Sequence, residues 1–160
     1  MTPIDGLHLT LDRVTRVSGS TAEQRARITE VAEQACGQQA PFALTIRQLT
    51  NVRAAIAFLV GPSNRVATLR DGLRAATLSV IPDAPVKNAM SAPHVTIAYP
   101  IYEGLSAEAG AAAEAVDARL DHVSVSVSAV RMVALERRGH GYRWETIARI
   151  PLGDLRGSFD

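Results

Sequence analysis

Two short runs in this chain repeat the same pattern of residue types: His8-Leu9-Thr10-Leu11 and His94-Val95-Thr96-Ile97. Each is histidine, apolar, threonine, apolar. With four histidines and eleven threonines in 160 residues, chance gives two such runs on the order of once in a thousand. Residues two apart on a strand point to the same face about 6 to 7 Å apart, so each run offers an imidazole and a hydroxyl together. Leu9, Leu11, Val95 and Ile97 would face the other way and pack. Two such strands facing each other across a cleft would present two imidazoles and two hydroxyls to one bound group, and a phosphodiester fits that set. A neutral imidazole takes a proton from an attacking water, a protonated one donates to the leaving oxygen, and the hydroxyls bond the non-bridging oxygens. No metal is required.

The remaining residues predict the frame for these strands. Alternation predicts a first strand at 7–11, and Ser20-x-x-Glu23 reads as a capping box opening a helix over about 21 to 36. Phe42–Gln48 and Ala54–Val60 read as paired strands around Thr50-Asn51. Ser63 or Asn64 would cap a second helix with Val66, Leu69, Leu73 and Ala76 inward and Gly72 within it. His94–Ala98 is a strand, Ser106 opens an Ala-rich helix to about Leu120, and Val123–Leu135 reads as one extended strand. It returns through Gly139-His140-Gly141 as Tyr142–Leu152. The fold class is α+β: each half runs histidine strand, helix, two strands. This predicts two pseudo-equivalent lobes of one domain, roughly 1–53 and 54–160.

Composition narrows the function. Seventeen basic residues against sixteen acidic give a net charge of +1, too little for a protein that coats duplex DNA. Sixteen of the basic residues are arginines, whose forks suit phosphate. The lone Cys36 cannot form an internal disulfide or a thiolate metal site and reads as a small core residue. His122 has no partner at metal-ligand spacing, and Gly61-Pro62-Ser63-Asn64 lacks the lysine of a nucleotide-triphosphate loop, so neither a metal nor another cofactor is expected. No apolar run reaches the length of a membrane helix, and Met-Thr-Pro-Ile-Asp-Gly has no leader character; a cytoplasmic setting is the expectation. Tyr99, and Arg138 and Tyr142 at the last hairpin, are candidate nucleotide contacts, weighed against a solvated hairpin tip. Asp12 shares the parity of His8 and Thr10 and is expected in water at the strand end, or orienting an imidazole.

The paired motifs, 86 residues apart, resemble those of the 2H phosphoesterase superfamily, in particular its bacterial 2′-5′ RNA ligase type. Ala92–Ala98 is similar to that family's second motif, and Trp144–Leu152 to its closing strand, where an aromatic begins the run. The resemblance implies a bilobal fold with two antiparallel sheets about a central cleft and helices packed outside. It implies metal-independent chemistry on RNA-type 2′,3′-cyclic phosphates or 2′-5′ linkages, with His8, Thr10, His94 and Thr96 catalytic. Its substrates would be RNA ends or small cyclic nucleotides. Two departures stand out: only seven residues precede His8, so the family's first strand and helix look absent, and Tyr99 stands where the family often has arginine. A monomer is expected, with a partner chain the alternative if the first lobe lacks a strand. The pseudosymmetry leaves open which histidine is the base, and a non-catalytic nucleotide or RNA-end binding module is the alternative function.

Overall fold

The computed structural model describes residues 7–52, 55–86, 92–98, 111, 114–116, 119, 123–138 and 141–153. After a short 3-10 turn at Val17–Gly19 come α1 (Ala22–Gly37), β1 (Phe42–Val52), β2 (Ala55–Gly61), α2 (Ser63–Val80), β3 (His94–Ala98), β4 (Ser124–Val127), β5 (Ala129–Arg138) and β6 (Gly141–Pro151). Two antiparallel sheets result: one of four strands in the order β3-β2-β1-β4, and the β5-β6 ribbon. This is the expected α+β class. β1 and β2, on either side of residue 53, pair with each other, and β4 and β5 belong to different sheets.

Local chemistry explains most of these elements and corrects several expectations. The capping box of α1 lies one residue later than Ser20-x-x-Glu23: Thr21 Oγ1 accepts from Gln24 N, and Gln24 Oε1 accepts from Thr21 N. Neither Ser63 nor Asn64 caps α2; the cap position is Pro62, which has no side-chain cap bond. Pro62 sets the start because it has no N–H to donate and its ring crowds a preceding helical turn. The β1-β2 hairpin is longer than its apolar runs, with Val52 paired to Ala55, because ladder pairing carries Thr50 and Asn51 into the strand. The 123–135 run is not one strand. It breaks at Ser128, with β4 pairing β1 and β5 pairing β6, since no single sheet holds both partners. Of the Ala-rich helix, residues 111 and 114–116 are helical, and Ser106 lies outside the described residues.

Two apolar clusters form the core. Ala32 and Cys36 of α1, Leu69 and Ala76 of α2, and Ile150 and Leu152 at the end of β6 make one; Leu44, Val60 and Val66 join the four-stranded sheet to α2 in the other. Leu73, expected inward, packs half-buried against the first. Gly72 is used rather than merely tolerated: a Cβ there would stand 3.2 Å from Ala35 Cβ, so its absence lets α1 and α2 approach. Cys36 is fully buried, and that burial pushes its thiol up from the ordinary range, as suits a core residue. No helix among the described residues is long and apolar enough to cross a membrane.

Candidate active site

The first motif lies beside β3 as an antiparallel neighbour, joined by a bridge between Leu9 and Val95. The two strands therefore meet edge to edge, not as facing walls. Leu9, Leu11 and Val95 all pack on the Leu44–Val60–Val66 cluster, each contributing on the order of 1 kcal/mol from half-burial. Their burial sends the alternate residues to the other face. Antiparallel register about the bridge then sets Thr10 opposite His94 and His8 opposite Thr96. Directly opposite Cβ atoms are about 5 Å apart and diagonal ones about 7 to 8 Å. The two imidazoles occupy one diagonal and the two hydroxyls the other. A local twofold axis at the bridge carries each motif onto the other, which is the physical content of the sequence repeat.

The two histidines differ in what holds them. His94 Nδ1 lies 2.9 Å from the carbonyl oxygen of Ala92, so Nδ1–H donates there and Nε2 is left for chemistry. His8 meets the ring of Trp144 edge to face, with centroids 5.1 Å apart and planes at 68°. Trp144 comes from the β5-β6 ribbon, and a bulge puts it there. Met132 pairs with Ala148 but Val133 with Thr146, leaving Ile147 as the extra residue. Simple alternation would place Trp144 on the face of Ile150, in the core; after the bulge it shares the opposite face with Leu135, its partner, and Val133. Leu135 and Val133 are exposed, so that face is an apolar wall beside His8. Because Trp144 is the chain's single tryptophan, its emission reports on this ring contact. His8→Ala is expected to change the intensity and wavelength of that emission, and a spectrum identical to the wild type's would deny the ring contact in solution.

Asp12 does not stand in water at a strand end. Its Oδ2 lies 2.6 Å from Arg74 Nε on α2, with the two side chains only 10% and 23% exposed, and its Oδ1 accepts from Arg13 N at 2.8 Å. The hydrogen bond that Arg74 donates to the Asp12 carboxylate holds the guanidinium above its ordinary range. The pair ties the chain just beyond the first motif to the helix beneath the sheet. Of the other candidates, Tyr99 lies outside the described residues. Arg138 and Tyr142 sit by backbone at the far end of the ribbon, where Arg138 pairs with Gly141 and Tyr142 with Arg137. Among the described residues no three His, Cys, Asp or Glu side chains converge as a metal site. Trp144 was legible in the sequence only as an aromatic opening a strand; the bulge that aims it was not.

This arrangement of two sheets, with paired histidine strands side by side, defines a class. Residues 5–139 match the model of the 2′-5′ RNA ligase superfamily, and the chain belongs to that family, within the 2H phosphoesterases. The fold is similar to that of TT0787 of Thermus thermophilus, with a TM-score of 0.74, 17% identity, and 95% of this chain and 81% of that one covered. It is similar also to E. coli LigT complexed with 3′-AMP, with a TM-score of 0.68, 19% identity and coverage of 96% and 80%. A third structure, described as a phosphoesterase, superposes with a TM-score of 0.64 at 19% identity, covering 94% of this chain and 79% of that one. No curated protein matches the chain by sequence.

Proposed function

We propose that the chain is a metal-independent phosphodiesterase that opens RNA-type 2′,3′-cyclic phosphates to 2′-phosphates. The observation that carries this reading is the Leu9–Val95 bridge, which sets His8 and His94 on one diagonal of a common face and Thr10 and Thr96 on the other. A phosphorus centred there has an imidazole on each side, as in-line displacement needs: one next to the attacking water, one next to the leaving oxygen. The hydroxyls bond the non-bridging oxygens as charge builds on them. His94 serves as the base, because its Nδ1–H is committed to Ala92, which leaves the Nε2 lone pair to take the proton. His8 then protonates the leaving 3′-oxygen, with Trp144 fixing its ring. The same pair acting in the same direction, with a 5′-hydroxyl replacing water as the nucleophile and the 3′-oxygen again leaving, joins ends through a 2′-5′ linkage. RNA ends are the substrate class, and a single bilobal domain carries the site.

Turnover of an oligoribonucleotide ending in a 2′,3′-cyclic phosphate is the direct test, run in EDTA. A 2′-phosphate product formed at an undiminished rate is expected. Binding without product would favour a non-catalytic RNA-end module instead.

A further inference from the structure

A cation that the chemistry above does not use lies on the same sheet face as His94. In β1 the register shifts between Ile46, opposite Val60, and Leu49, opposite Phe58, so Arg47 and Gln48 form a bulge opposite Leu59. Leu59 is in turn the partner of His94 on β3, which puts the bulge in the row of that histidine. Ile46 and Val60 face the core, whereas Arg47 is exposed and turned to the other face. The proof is at Gly61. A Cβ on Gly61 would stand 2.7 Å from Arg47 Nε and 3.0 Å from its Cζ and Nη2, so the guanidinium lies over a backbone position left bare by glycine.

The histidine leans toward the same place. Val60 N donates to Pro93 O at 3.0 Å, which sets Ala92 beside Gly61, and His94 turns back to donate to the Ala92 carbonyl. With strands about 4.8 Å apart, the imidazole and the guanidinium are separated by about 5 to 10 Å on one surface. Among the described residues no carboxylate pairs with Arg47. An accessible, unneutralised guanidinium fork at that range is suited to a second phosphate on the chain whose end is being opened.

We propose that Arg47 binds the phosphate one nucleotide step from the scissile group, and that the site consequently takes oligoribonucleotide ends in preference to mononucleoside cyclic phosphates. The inference deepens the phosphodiesterase reading and rests on it for the position of the scissile group. Gly61 is part of the device, since it gives the guanidinium room to lie flat.

The test compares binding and turnover of a 2′,3′-cyclic mononucleotide and of a short oligoribonucleotide with the same end, in wild type, Arg47→Gln and Gly61→Ala. Arg47→Gln is expected to lose on the order of tenfold more affinity for the oligonucleotide than for the mononucleotide. The slope of log affinity against log salt for the oligonucleotide should fall by about 0.7. Gly61→Ala, which displaces the guanidinium without removing its charge, is expected to lose part of the same preference. An oligonucleotide made neutral at the penultimate phosphate should bind wild type and Arg47→Gln alike. Equal losses on both substrates, an unchanged salt slope, or no oligonucleotide binding by the wild type would overturn the proposal. Discriminating binding without turnover of either substrate would uphold the Arg47 contact and count against the phosphodiesterase reading alone.

Discussion

His8→Ala and His94→Ala are each expected to lower turnover of a cyclic-phosphate end by about 10²-fold or more, with the fold intact. The rings lie on the sheet face away from the Leu44–Val60–Val66 cluster, so deleting either leaves no hole in the core. Each removes one of the two proton transfers. Near-normal turnover in either variant would take that histidine out of the chemistry.

The largest effect on stability is expected at Arg74. Its guanidinium and the Asp12 carboxylate are both largely withdrawn from water and held at 2.6 Å. Arg74→Ala leaves the carboxylate in place without its cation, which costs about 3 kcal/mol, whereas a pair on the open surface is worth under about 1 kcal/mol. The shift in urea midpoint gives the number directly. Replacing both partners, Asp12→Asn with Arg74→Met, should recover part of the loss, because much of it is the penalty of a stranded charge. The effect reaches the site. Leu9 is joined to its neighbour strand by a single bridge, so the Asp12–Arg74 tie and the packing of Leu9 and Leu11 together fix where His8 stands. A change below about 0.5 kcal/mol in Arg74→Ala would show that apolar packing alone holds the first motif.

Features governed by neighbours along the chain were legible. α1 and α2, the β1-β2 and β5-β6 hairpins and β3 all appear where apolar periodicity and turn residues put them, because helix and hairpin preferences are set within a few residues. The errors fall where a distant element decides. Nothing local marks Ser128 as a break in an alternating run; the strand divides there because β1 claims one part and β6 the other. Asp12 reads as a solvated carboxylate until α2 brings Arg74 against it, 62 residues away in sequence.

The sequence by itself determined the chemistry on offer. Two His-x-Thr runs at strand spacing name the imidazoles and hydroxyls, and the alternating apolar residues say which face is buried, since side-chain direction on a strand is a property of the strand alone. Only the tertiary structure decided how those groups meet. One antiparallel pairing, Leu9 with Val95, turns two separate motifs into a twofold set, and pairing register is not written in either strand. Bulges finished the site. The one at Ile147 turns Trp144 toward His8, and the one at Arg47 and Gln48 lies beside Gly61, over which the Arg47 guanidinium rests. A single unpaired residue reverses which face the following side chains take, so parity counted along the sequence fails at the positions where the ladder slips.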